Sequence, residues 1–94
     1  MIRVEYAQFE MLEERPIPEW EIRVTVKGSG FVIRALPLMA QVGDLIVEGL
    51  QLNPDGTGFV GYLPTEPAQG SMLRVGYPEG ELVKTEFTYH KTIP

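Results

Sequence analysis

From Trp20 to Lys27 the chain alternates apolar and polar residues one for one. Trp20, Ile22, Val24 and Val26 fall on one side of an extended backbone, and Glu21, Arg23, Thr25 and Lys27 on the other. A period of two over this length marks an antiparallel strand with one buried and one wet face. Gly28-Ser29-Gly30 ends it. The first strand, Ile2 to Leu12, has the same rhythm but changes phase: Ile2, Val4 and Tyr6 are followed by Phe9 and Met11. A slip of one residue turns the other face inward, so a bulge or break is expected near Ala7-Gln8, where the strand can switch between sheets.

Further along, Leu45 to Leu52 reads as one strand interrupted at Gly49, and Asn53-Pro54-Asp55-Gly56 as a tight turn. Thr57 to Leu63 returns with Phe59 and Leu63 on one face and Val60 and Tyr62 on the other. Bulk on both faces predicts a central or covered strand. The chain closes with a hairpin, Leu73 to Tyr77 against Leu82 to Tyr89, in which Val83, Thr85, Phe87 and Tyr89 can face inward with Leu73, Val75 and Tyr77. Glu13 to Pro18 is a turn, because two prolines remove donors and disfavour helix.

The segment Phe31 to Val42 is the least regular. Val32 to Leu36 is apolar enough for a strand, but Pro37 bars a central ladder position. Leu36-Pro37-Leu38-Met39 is unusually apolar for a loop. Two readings stand: a crossing segment that plugs the end of the fold, or an exposed patch for a partner or second copy. With turns roughly every ten residues and no helical periodicity, the pattern predicts an all-β antiparallel sandwich of about seven strands.

The strand running into Gly28-Ser29-Gly30-Phe31, the Val42-Gly43-Asp44 turn before the next strand, Pro64 ahead of a Gly-containing loop, and the closing Phe87-Thr88-Tyr89 occur in a definite order. In that order, over about residues 20 to 90, the chain resembles an IPT/TIG domain. The resemblance implies an immunoglobulin-like β-sandwich forming a single domain over residues 1–94. It implies no catalytic activity, since such domains serve as spacers and binding modules in surface receptors, polysaccharide-acting enzymes and some transcription factors. The chain departs from the family pattern at Arg15-Pro16-Ile17-Pro18-Glu19, which lacks glycine, and in the apolar run Ile33 to Gln41.

Charge narrows the choice of partner. The 94 residues carry a net charge of −5, which repels phosphate backbones and argues against nucleic acid; the basic loops of DNA-binding family members are missing. Glu5, Glu10, Glu13, Glu14, Glu19 and Glu21 crowd the first quarter against Arg3 and Arg15. They read either as a solvated edge kept soluble by charge or as an acidic patch for a basic partner or cation. There is no cysteine, which removes disulfides and thiolate chemistry together. The start of the chain has no basic n-region followed by an apolar h-region, and no apolar run approaches the ~20 residues of a membrane helix. Localisation stays open between a soluble intracellular protein and a domain of a longer surface or secreted precursor.

Chemical motifs are few. His90 is the only histidine and lies near the end of the chain, a poor foundation for a metal site or a Ser-His-Asp arrangement. Asp44 and Glu48 are the only carboxylates in apolar surroundings. Asn53-x-Asp55-Gly56 has Pro64 where a calcium loop needs its twelfth-position Glu. Gly28-x-Gly30 lacks the third glycine and following helix of a phosphate loop. The expectation is therefore no catalytic residue, no metal and no cofactor. Tyr6, Trp20, Phe59, Tyr62, Tyr77 and Tyr89 are rings that can either fill a core or stack on sugars; Trp20 heads an inward row, whereas for Tyr62 the core and an outward platform stand about level. Taken together, the sequence suggests a non-catalytic structural or protein-interaction module. It would dock a partner, or self-assemble, through an edge strand and the apolar loop, with Leu36, Leu38, Met39 and Tyr62 as interaction residues. The alternative is a carbohydrate-binding accessory domain using its surface aromatics, with polysaccharide as the partner.

Overall fold

The computed structural model describes residues 2–32, 37–77, 80 and 82–90. They form eight strands: β1 (Arg3–Met11), β2 (Ile22–Ser29), β3 (Met39–Val42), β4 (Leu45–Ile46), β5 (Glu48–Leu52), β6 (Gly58–Leu63), β7 (Met72–Gly76) and β8 (Val83–Thr88). No helix occurs among the described residues. The strands make two antiparallel four-stranded sheets, the first in the order β1-β2-β6-β5 and the second in the order β4-β3-β7-β8. The fold is all-β and sandwich-like.

One apolar cluster joins the sheets. Ile22, Val24 and Val26 of β2 and Phe59 and Leu63 of β6 are buried with Ala40 and Val42 of β3 and Leu73 and Val75 of β7. Each such side chain removed from water contributes about 1.5–3 kcal/mol, which is why the alternation in β2 fixes its register so firmly. Gly61 leaves room in β6 for the Val47 side chain, which a β-carbon at that position would displace. Phe31 closes one end by meeting Phe59 edge-on, with ring centroids 5.3 Å apart. Tyr77 ties that end shut. Its hydroxyl accepts from the Val32 N–H at 3.0 Å and donates to the Val32 carbonyl at 2.6 Å.

Turn chemistry follows the sequence closely. Gly43, with φ +60°, is the first central residue between the paired Val42 and Leu45, the pattern of a II′ hairpin. The Gly56 N–H donates to the Asn53 carbonyl at 3.0 Å, closing the β5–β6 turn. Asp55 caps it by accepting from the Thr57 N–H and hydroxyl, and these two bonds hold its carboxyl below the ordinary carboxylate range.

Several expectations change. The irregularity in β1 lies between Val4 and Tyr6 rather than near Ala7-Gln8, so Tyr6 turns outward and Ala7 and Phe9 take the inner side. β1 keeps to one sheet throughout. The switch between sheets is at Val47: its N–H donates to Ala40 of the second sheet at 2.9 Å, while Glu48 pairs with Tyr62 of the first. The run Leu45 to Leu52 is therefore two strands, and the described residues form eight strands instead of about seven. In the last hairpin Val83 is exposed; the Thr85 hydroxyl accepts from the Phe87 N–H and donates to the Leu73 carbonyl where the β7–β8 register shifts.

Candidate functional site

The outer face of the first sheet carries the most organised polar and aromatic surface of the described residues. Strand register lines up Glu10, Arg23, Tyr62 and Glu48 in one row across β1, β2, β6 and β5. The next row is Gln8, Thr25, Val60 and Gln51, and a third places Tyr6 opposite Lys27. All these residues fall on the wet phase of their strands, opposite to Ile22, Val24, Val26 and Phe59.

Within the first row the Arg23 Nε–H donates to Glu10 Oε1 at 3.0 Å, and the guanidinium reaches the same oxygen through Nη2. Glu10, with a smaller part from Tyr62, raises the Arg23 pKa above its ordinary value. Trp20 lies flat on Tyr62, with ring centroids 4.5 Å apart and planes within 1°. The indole Nε1–H donates to Glu48 Oε1 at 3.0 Å.

Gly49 makes this stack possible. Its φ of +62° sits at the β5 register shift between Glu48 and Gln51, and a β-carbon there would come within 2.6 Å of the indole Cη2. A left-handed glycine at a bulge re-aims neighbouring side chains, and here it admits the indole. Trp20 accordingly leaves the inward row that the alternation suggested for it. At the other end of the face, the Tyr6 hydroxyl donates to Gln8 Oε1 at 3.0 Å, and Lys27 Nζ stands 5.8 Å from the Tyr6 ring centroid.

The candidates read from sequence are dispersed. Tyr62 is half-buried on the outer face of the first sheet. Leu38 is only 6% exposed and belongs to the core cluster, so its side chain plugs the fold and offers nothing to a partner. Met39 is half-buried, at the start of β3 opposite Gly76. Leu36 lies outside the described residues. The three described ones do not form one surface.

The carboxylates and the histidine are also separate. Glu48 is engaged by Trp20. Asp44 is exposed on the rim of an open concavity of about 270 Å³ that Glu66 also lines, and Glu66 accepts from the Tyr89 hydroxyl at 2.8 Å. His90 is exposed, its Nε2 2.8 Å from the Thr88 hydroxyl. Among the described residues no three His, Cys, Asp or Glu side chains group as metal ligands, and no helix is long and apolar enough to cross a membrane. A second concavity, of about 470 Å³, adjoins the end of β1 between Glu10, Met11, Glu13, Glu14 and Arg23.

The edge of β1 is the other feature of note. Leu12 N–H donates to the Glu21 carbonyl at 2.9 Å, in register with the Met11–Ile22 and Glu10–Arg23 pairs. Antiparallel ladders alternate bonded and non-bonded pairs, so Glu10, Gln8 and Tyr6 bond to β2. Ala7, Phe9 and Met11 direct their N–H and C=O groups away from it. No strand among the described residues pairs with that side.

Comparison with protein-family models, with curated proteins and with solved structures gives no match.

Proposed function

We propose that this chain is a non-catalytic, immunoglobulin-like interaction module that docks a partner strand, or a second copy of itself, along the outer edge of β1. The observation that carries this reading is the edge itself. Among the described residues β1 is the longest strand, has a sheet neighbour on one side only, and offers three successive sets of outward backbone groups at Ala7, Phe9 and Met11. Such an edge is a template for strand addition, in which main-chain bonds supply affinity. The three other edges are shorter or broken: β4 has two residues, β5 is interrupted by the Gly49 bulge, and β8 has six residues with a register shift against β7.

The immunoglobulin-like assignment draws support from strand order. Taking β1, β2, β6 and β5 as A, B, E and D, and β3, β7 and β8 as C, F and G, gives the ABED and CFG sheets of that fold, with β4 added beside C. The same order agrees with the IPT/TIG resemblance of residues 20 to 90. A non-catalytic role draws support from the engaged or solvated state of Glu48, Asp44 and His90.

The test is Ala7→Pro. Proline removes a donor that faces away from β2, so the intramolecular ladder is kept. Sedimentation of the wild type at rising concentration is expected to show a dimer, with slowed amide exchange at Ala7, Phe9 and Met11. Ala7→Pro is expected to stay monomeric with an unchanged melting temperature. A wild-type monomer at all concentrations, with exchange at those amides unaltered, rejects self-docking; association that survives Ala7→Pro rejects the β1 edge.

A further inference from the structure

We propose that the outer face of the first sheet is a binding platform for a neutral oligosaccharide, with the Trp20–Tyr62 stack at one end and Tyr6 at the other. This site is separate from the outer backbone edge of β1, and neither reading requires the other.

Three observations carry it. The first is preorganisation. Trp20 is fixed at three points, by the Tyr62 ring, by Glu48 on its Nε1–H, and by the space at Gly49. A half-buried indole held this way on a solvent-facing sheet keeps its position before any ligand arrives, so binding orders little that was loose. Flat aromatic surface suits the C–H faces of a pyranose, while the equatorial hydroxyls of the sugar need donors and acceptors at the rim.

The second is charge. The molecule carries −5 overall, and the two cations of this face, Arg23 and Lys27, are outnumbered by Glu10, Glu48 and Glu21, the last on the same phase as Arg23, with Glu13 and Glu14 beside Glu10. Arg23 is already bonded to Glu10, and Glu48 to the indole. Such a surface has no positive charge to spare for a polyanion. It complements a ligand that is polar but uncharged.

The third is spacing. Arg23 and Lys27, which mark the two aromatic ends, are four residues apart on β2, about 13 Å along an extended strand. Between them lie Gln8, Thr25 and Gln51, whose side chains donate and accept hydrogen bonds. Ring, polar row, ring is the order that a short chain of sugars, lying obliquely along the strands from β6 to β1, would meet.

Trp20 is the only tryptophan, so its emission reports on this face alone. The experiment titrates dilute, monomeric protein with neutral hexasaccharides of β-1,4-glucose, β-1,4-mannose and α-1,4-glucose. At least one is expected to shift the emission saturably. Tyr62→Ala should weaken that binding by about tenfold or more. Tyr6→Ala, at an exposed position that leaves the stack and the core intact, should weaken it by about threefold or more. No spectral change with any of the three sugars overturns the proposal. So does binding indifferent to Tyr6→Ala, or tighter binding of polygalacturonate than of every neutral sugar. Because the protein is kept below its association range, these outcomes are independent of whether β1 docks a second copy.

Discussion

Tyr89 shows how one side chain sets a limit on stability. Its ring meets Phe9 edge-on at 5.5 Å and its hydroxyl donates to Glu66 Oε1 at 2.8 Å. Burial first, and the neighbouring Glu66 carboxylate second, push its pKa up to about 12, whereas an unfolded tyrosine titrates near ~10. The folded state holds this proton more tightly than the unfolded one. Its contribution is therefore complete below about pH 10 and is lost as pH rises through 12. Thermal melts between about pH 9 and 12 should show this decline, and Glu66→Gln, which lowers the folded pKa, should make the decline smaller and end it at lower pH. Gly49 makes a second point at this scale. Gly49→Ala puts a side chain on a left-handed backbone and a methyl against the indole, at an expected cost of about 1–3 kcal/mol. Urea unfolding would measure that loss, and a red-shifted Trp20 emission would show the ring leaving Tyr62. The glycine was legible in the sequence as an interruption. Its partnership with Trp20 was not, because local alternation counts Trp20 with Ile22 and says nothing of a ring and a carboxylate on distant strands.

At the scale of elements, period-two patterning located strands well and their sheets poorly. β2 and β6 match their patterns, since each has one row of buried residues and one row of half-exposed ones. The run from Leu45 to Leu52 did not reveal its division, because a strand that leaves one sheet for the other keeps an apolar sequence throughout. Its pivot is Val47, 3% exposed, with its side chain in the space left by Gly61. Val47→Ala removes two buried methyl groups and should cost about 2 kcal/mol in chemical unfolding. A cost near zero would mean that the pivot is held by its backbone bonds alone. The phase change in β1 was visible too, but its position was not: the register shift at Glu5 follows from pairing with β2, which the first strand alone does not encode.

For the whole molecule, the all-β class followed from turn spacing and alternation, while strand order depended on pairings that no local pattern carries. The interaction residues fared differently from one another for the same reason. Tyr62 sits on a strand with bulk on both faces, and its side is fixed only by the register with β2 and β5; Leu38 lies in an irregular segment where an apolar side chain reads equally as plug or patch, and its burial in the core decides for the plug. The crossing at Val47 has a further consequence, for cooperativity. Because the chain passes from β4 to β5 through one residue, neither sheet can fray without pulling on the other, and the central pairing of each sheet, β2–β6 and β3–β7, joins distant parts of the chain. Folding should then be all-or-none and slow for so small a protein, in the millisecond-to-second range of non-local β topologies. Trp20 fluorescence, which watches the first sheet only, should melt at the same temperature as the far-ultraviolet dichroism of both sheets. An earlier fluorescence transition would mean that the two sheets can come apart at the Val47 hinge.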